Sequence, residues 1–430
     1  MILKPVNIQT VSIIPIVLNV TAYTCDIFCC VIDNLGDAGV CLRLAKQLGS
    51  DYGLFVRLWC DDVQLLMRLE PTPSPHLVFY EWDKHITAIP ASIIICGFGC
   101  ALSEAYLQSM VALQMPPKYI HLEYLSAEKW VETTHGLESI HPRLGLKQFF
   151  CNPGFNQRTG GLLINKINKI NNKVNKVNKN YKNYKNYKNN NHFGVINNLK
   201  QHFKKYQSNQ PNQINQLKVF CFAYDLPPLY TWITAVQQYA KQTNCLIKWV
   251  LPHTAASKIV YQAVYDDPLH QCHCLPFLSQ TEFDIALNAC DIVWVRGEDS
   301  AMTAMFSGLP MLWQLYPQTD IPAKNSKLSA YLDTVQQAVG LDLLWCEAMQ
   351  AANTVSSLSD KTAANEIIVI DKELKIFKQF LYAAQQASSK YGIAHIIKGN
   401  KLLKHQQFGE YCCNNVPNLA QTIIDYVRGN

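Results

Sequence analysis

From residue 291 the chain reads DIVWVRGEDS, and this stretch constrains the fold more than any other. Ile292–Val295 is a short apolar run of β-branched and aromatic residues, the pattern of a buried strand. It stops abruptly at Arg296-Gly297-Glu298-Asp299-Ser300, and Ala301–Ser307 is helix-forming until Gly308 and Pro310 close it. Strand, charged tight turn and helix form the repeating unit of an open α/β sheet. In such sheets ligands sit outside the carboxyl ends of the strands, beside a helix N-terminus. Ser300 is expected to cap the helix, while its N–H groups and the Arg296 fork suit a diphosphate. Glu298 and Asp299, being acceptors, suit sugar hydroxyls. A solvated charged turn with an ordinary cap fits the same residues, so local chemistry alone leaves both readings open.

The same alternation runs through the rest of the chain. Strands are predicted at Ile27–Ile32, Leu54–Cys60, His76–Tyr80, Ile93–Cys96 and Tyr119–Glu123. Helices are predicted at Val40–Leu48, with Arg43 and Lys46 on its polar side, and at Asp61–Glu70. Regular structure resumes with a strand from Lys218 to Asp225, a helix over Leu229–Gln242 and a strand over Leu246–Leu251. The helix Thr281–Cys290 then leads into the central strand, and a helix over Lys327–Leu332 follows it. This spacing predicts doubly wound parallel sheets.

Between the two series lies Asn165–Asn191, a repeat of Asn and Lys with single Ile, Val or Tyr fillers. It is too poor in apolar residues to bury a core and reads as an expanded surface insertion, with RNA contact as the competing reading. It also distorts the charge balance. The stretch from Asn165 to Lys218 holds twelve lysines and no acid, and without them the formal net charge of +6 becomes −6. The basicity thus belongs to one segment and is no argument for a nucleic-acid enzyme. No apolar stretch approaches a membrane span, since even Val11–Val20 is broken by Pro15 and Asn19. The sixteen cysteines, several inside apparent strands (Cys29, Cys30, Cys221), read as small buried hydrophobes of a reduced, cytoplasmic protein. His270-Gln271-Cys272-His273-Cys274 has metal-donor residue types. Its spacing matches no zinc pattern, and alternate positions on one strand cannot close a tetrahedron alone.

The loop after the first strand, Asp33-Asn34-Leu35-Gly36-Asp37-Ala38-Gly39, is not a glycine-rich phosphate cradle. Two carboxylates at the electropositive end of a helix repel an anionic cofactor, and instead attract a cation or accept a proton. A turn-forming Asp33 and a dipole-pairing Asp37 are the plainer alternative. Farther on, Phe149–Leu163 carries Pro153-Gly154 and Gly160-Gly161, successive turns of the kind that face an interdomain cleft.

Taken together, several stretches resemble the bacterial elongation factor P arginine rhamnosyltransferases. They are IFCCVIDNLGDAGVCLRLA (27–45), LEYLSAEKWVE (122–132), FCNPGFNQRTGGLL (150–163), FLSQTEFD (277–284), ACDIVWVRGEDS (289–300), WQLYPQ (313–318) and NLAQTIIDYV (418–427). The resemblance implies a two-domain GT-B fold and an inverting, metal-independent transferase without a cofactor. The donor would be dTDP-β-L-rhamnose and the acceptor an arginine on a loop tip of elongation factor P; composition, for its part, gives no membrane partner and makes a nucleic-acid partner the less favoured reading. It implies an extension at 1–20, an acceptor-binding domain at 21–164 and an insertion with linker at 165–216. A nucleotide-sugar domain would follow at 217–405, and a C-terminal helix at 406–430 would return to the first domain. By the same resemblance, Asp33, Asp37 and Glu298 match catalytic carboxylates. Phe222, Tyr224, Phe277, Gln280 and Phe283 would line the base and sugar pocket, and Arg296, Asp299, Ser300 and Tyr316 would hold the diphosphate and sugar.

The residues support this chemistry independently. An arginine side chain, with a pKa above about 12, is a poor nucleophile until carboxylates localise its charge or take a proton. Asp33 is the candidate base and Asp37 the orienting group, while Arg296 stabilises the departing diphosphate. A catalytically weak elongation factor P-binding module and a nucleic-acid-associated protein are the competing readings. Deletion of residues 165–191 is expected to leave the thermal unfolding midpoint and donor affinity nearly unchanged, because a flexible insertion adds little closure cost. Loss of the folded state on deletion would show the segment to be structural.

Overall fold

The computed structural model describes residues 24–32, 35–82, 88–164, 215–317, 321–340, 343–354, 363–388 and 403–429. The extension at 1–20, Asp33 and the Asn/Lys repeat therefore lie outside the described residues.

The first series comprises β1 (Thr24–Cys29), α1 (Gly36–Tyr52), β2 (Phe55–Cys60), α2 (Val63–Leu69), β3 (Leu77–Glu81) and β4 (Ile93–Gly97). It continues through α3 (Glu104–Val111), β5 (Lys118–Leu122), α4 (Trp130–Thr134), β6 (Glu138–Ile140) and β7 (Lys147–Cys151). These strands form a seven-stranded sheet in the order β3-β2-β1-β4-β5-β7-β6. Only the short edge strand β6 runs antiparallel to its neighbour. The second series is β8 (Gln216–Cys221), α5 (Pro227–Thr243), β9 (Leu246–Leu251), α6 (Ala255–Val264) and β10 (His270–Cys274). It ends with α7 (Gln280–Asn288), β11 (Ile292–Arg296), α8 (Gly297–Ser307) and β12 (Met311–Gln314), giving an all-parallel five-stranded sheet, β10-β9-β8-β11-β12. Both sheets place the first strand of their series in the middle and reverse direction there, the Rossmann order. Two Rossmann-like domains facing each other make a GT-B fold, as the resemblance implied.

Burial explains why these segments are strands. Ile292, Val293, Trp294 and Val295 of β11 are all inaccessible to solvent, as expected where helices cover both faces of a parallel sheet. The strand expected to reach Asp225 ends earlier, at Cys221. Phe222 N–H still donates to the Trp294 carbonyl, but the Tyr224 N–H is taken by the Gln314 side chain instead of a strand partner. Helix α1 starts at Gly36, before the expected Val40, and runs to Tyr52, where Gly53 at φ 70° ends it.

The chain continues through α9 (Ile321–Val339), α10 (Leu343–Ala351), α11 (Ala363–Ser388), α12 (Leu403–Asn415) and α13 (Leu419–Arg428). Helix α9 is much longer than the Lys327–Leu332 expected. The return to the first domain falls at 416–418 and not at 406. Phe408 and Cys412 of α12 pack in the core of the second sheet, whereas Leu419, Ala420, Ile423 and Ile424 of α13 pack in the core of the first. Gly161 makes the crossing possible: its φ is 80°, and a Cβ there would lie 2.0 Å from the Pro417 carbonyl oxygen. Asn418 then caps α13 through the Ala420 and Gln421 N–H groups. Of the metal-donor residues on β10, His270 has a fully buried side chain and accepts a hydrogen bond from Trp249 Nε1 at 3.0 Å. Burial lowers its pKa to about 4. Among the described residues no group of three or more His, Cys, Asp or Glu side chains is arranged to hold a metal ion.

Inside the first domain one buried carboxylate organises the sheet. Asp26 on β1 accepts from both Arg57 Nε and Nη2 at 2.6 Å, Trp59 Nε1, Tyr106 Oη and the Ala91 N–H. Asp26→Ala is expected to lower unfolding free energy by roughly 3–5 kcal/mol, because it strands a mostly buried guanidinium. A urea midpoint within error of the wild type would show that the network contributes nothing.

Candidate active site

The carboxyl ends of β1 and β11 lie at the two strand-order reversals, and both supply the residues singled out from sequence. Beyond β1, Asp37 is buried in the first turn of α1 and its Oδ2 accepts the Ile32 N–H at 2.8 Å. Asp37 is thereby a clasp between the first turn of α1 and Ile32, just beyond β1. It also offsets the positive end of the helix. Two residues on, the Gly39 carbonyl accepts a 2.8 Å hydrogen bond from Gln280 Nε2 of the second domain.

At the end of β11 the chain turns directly into α8 at Gly297, whose φ is 67°. No separate charged turn intervenes. Glu298 and Asp299 therefore occupy the first helical turn, and Arg296 sits at the cap position without a side-chain cap. The expected capping by Ser300 does not occur. Ser300 lies one turn inside the helix and donates its hydroxyl to the Arg296 carbonyl, because the helix begins earlier than the apolar pattern indicates.

The expected donor residues fall into two groups. In the first, the Arg296 guanidinium stands 4.7 Å from the Phe222 ring centre and 4.6 Å from that of Tyr224. This contact restricts the fork's orientation and contributes on the order of 0.5–2 kcal/mol. Phe283 packs edge-on to Phe222 at 5.0 Å, and Tyr316, 39 % exposed, lies edge-on to Tyr224 at 6.0 Å. These side chains make one aromatic wall with a cation against it.

The second group faces the other domain. Phe277 packs against the first domain's core, with Arg68 of α2 over its ring at 3.7 Å. Gln280, besides its bond to Gly39, has a buried Oε1 without a hydrogen-bond partner among the described residues. Asp299 is paired with Arg43 of α1. Glu298 accepts the Leu125 N–H at 3.0 Å and pairs with Lys327 of α9 at 2.9 Å. A small pocket between the domains is lined by Val40, Arg43, Phe98, Glu123, Leu125 and Glu298 among others. Burial raises the Glu123 carboxyl above its ordinary pKa.

Sequence reasoning missed Arg43, Arg68, Asp284 and Lys327. Arg43 was expected on a polar helix face, yet its side chain is only 16 % exposed and lies between the domains. A single arginine on the largely apolar run from Val40 to Leu48 was the available signal. Its partners are too remote in sequence to be read from it.

Comparison with known proteins agrees with this geometry. Residues 25–395 match the family described as Elongation-Factor P (EF-P) rhamnosyltransferase EarP. The chain is 34% identical to a protein-arginine rhamnosyltransferase of Pseudomonas putida over 72% of this chain and 80% of that protein. It is 31% identical to one of Pseudomonas aeruginosa, over 74% and 83% respectively. Its fold is similar to a solved structure reported as "Structural basis for EarP-mediated arginine glycosylation of translation elongation factor EF-P". The TM-score is 0.51 at 21% identity, covering 95% of this chain and 99% of that one. A family match across most of the chain, on a GT-B fold with carboxylates and an aromatic-backed arginine at the facing strand ends, identifies a glycosyltransferase that belongs to the elongation factor P rhamnosyltransferase family.

Proposed function

We propose that this protein transfers rhamnose from dTDP-β-L-rhamnose to an arginine side chain of elongation factor P, with inversion at the anomeric carbon. The observation that carries the reading is the pairing of two strand-end sites across one cleft. Asp37 follows β1 in the first domain, and Arg296, Glu298 and Asp299 lie at the end of β11 in the second. The domains meet where Gln280 of α7 donates to Gly39 of α1 and where Glu298 accepts the Leu125 N–H beyond β5. An anionic donor fits the side that carries Arg296 and the α8 N-terminus. A cationic acceptor fits the side that carries carboxylates.

The reaction is then a single displacement. A guanidinium nitrogen of the acceptor attacks the sugar C1, the bond from C1 to the diphosphate oxygen breaks, and a proton leaves the guanidinium for a carboxylate. Asp33 is assigned as the proton acceptor, Asp37 as the orienting group, and Glu298 as a further carboxylate for the acceptor. Charge gathering on the leaving diphosphate is stabilised by Arg296 and the first N–H groups of α8. Phe222, Tyr224, Phe277, Gln280 and Phe283 form the base and sugar pocket, with Asp299, Ser300 and Tyr316 beside the sugar and diphosphate.

The two halves of this assignment separate experimentally. Arg296→Ala is expected to weaken dTDP-rhamnose binding by roughly 1.5–3 kcal/mol, the scale of a charge-assisted bond. Unchanged affinity by calorimetry would rule out this strand end as the diphosphate site. Asp33→Asn is expected to reduce single-turnover transfer by roughly 10²–10⁴-fold with donor affinity nearly intact. Near-normal transfer by that variant would end the assignment of Asp33 as the base.

A further inference from the structure

Helix α1 meets the second domain along one short line, Gly39 and Arg43, separated by a single helical turn. Gly39 contributes backbone only: a Cβ there would stand 3.1 Å from Asp299 Oδ2. Arg43 contributes its whole guanidinium. Its Nε and Nη2 donate to Asp299, the latter at 3.2 Å. Nη1 and Nη2 form a two-pronged contact with Asp284 of α7 at 2.8 and 2.7 Å, and Nη2 also reaches Thr303 Oγ1 at 3.1 Å. Thr303 in turn donates to Asp284 at 3.2 Å. One cation from the first domain therefore pairs with two carboxylates on neighbouring helices of the second. Burial alone would lower the Arg43 pKa, but the charges of Asp284 and Asp299 outweigh it and hold the group above its ordinary value.

Without Arg43, Asp284 and Asp299 would be two partly buried like charges on adjacent helices, free to turn toward water. With it, the Asp299 carboxylate is held by Arg43, with Gln280 Nε2 3.5 Å from its Oδ2, and the bare backbone of Gly39 leaves room for it to approach α1. We infer that Arg43 is a positioning residue: reaching across the cleft, it sets the orientation of Asp299 and so makes the donor pocket complete only when the two domains are together. The inference rests on the reading of Asp299 as a donor-pocket residue. It adds that the acceptor domain helps to build the donor pocket although it need not touch the donor.

The test is calorimetric titration of dTDP-rhamnose into the full chain carrying Arg43→Met, Arg43→Lys, Asp284→Asn or Asp299→Asn, beside steady-state transfer and thermal unfolding. Loss of the fixed charge in Arg43→Met is expected to weaken donor binding by roughly tenfold or more and to raise donor KM more than acceptor KM. Lysine, a point charge that cannot serve both carboxylates, is expected to restore only part of the loss. Asp284→Asn leaves the Arg43–Asp299 pair in place and is expected to cost less than about threefold in donor affinity even where it lowers Tm. Donor binding by Arg43→Met that equals or exceeds wild type overturns the inference. So does an Asp284→Asn variant that loses as much affinity as Arg43→Met, the pattern of a plain structural brace. If Arg43→Met does not fold, Arg43→Lys decides, and wild-type donor affinity in that variant overturns the role. An unchanged donor affinity in Asp299→Asn removes the donor-pocket reading together with the inference. A weakened Asp299→Asn beside an unaffected Arg43→Met removes only the role of Arg43.

Discussion

Parallel strands deliver every strand-to-helix connection to the same edge of their sheet, and each helix that follows presents its N–H groups there. Two such sheets facing each other bring two polar edges together and leave little else in the cleft. The rest of the site follows from this constraint. The β1 edge carries the Asp37 clasp, the β11 edge carries Arg296 with Glu298 and Asp299 in the first turn of α8, and each edge lies where its strand order reverses. The C-terminal return through α13 joins the two bodies, and it depends on one glycine at the crossing.

Asp37 lies in the first turn of α1, Glu298 and Asp299 lie in the first turn of α8, and Arg296 at the cap of α8 lies against an aromatic wall. Carboxylates in a partly desolvated cleft are unfavourable unless neighbouring cations offset them. Arg43 offsets Asp299 and Asp284, and Lys327 offsets Glu298. The Arg43 pairings span 256 and 241 residues and cross between the domains, whereas Lys327 and Glu298 lie 29 residues apart within the second. The Arg43 contacts therefore serve both the site's charge balance and the relative placement of its two sides.

Much of this was legible in the sequence because it rests on local patterns. The run Ile292–Val295 could only be a buried strand, and Leu246–Leu251 was found with its observed limits. What was not legible depends on conformation or distance. Ser300 was misread as a cap because a positive φ at Gly297, which starts the helix four residues earlier, leaves no mark in an apolar pattern. The strand after Lys218 was drawn too long because a side chain of Gln314, not a neighbouring strand, receives the Tyr224 N–H. Arg43 was placed on a solvent-facing surface because its partners lie 241 and 256 residues away. A contact between the two domains was thus beyond the reach of local reading.

The central claim is that the two edges of this cleft serve one transfer reaction, an anionic sugar donor on the β11 side and an arginine on the β1 side. Peptide-resolved mass spectrometry of purified elongation factor P, incubated with this protein and dTDP-β-L-rhamnose, tests it most directly. The account predicts the mass gain of a single deoxyhexose, confined to one arginine at a loop tip and absent when the donor is omitted. Unmodified elongation factor P at saturating donor, or the sugar on any residue other than arginine, would contradict it.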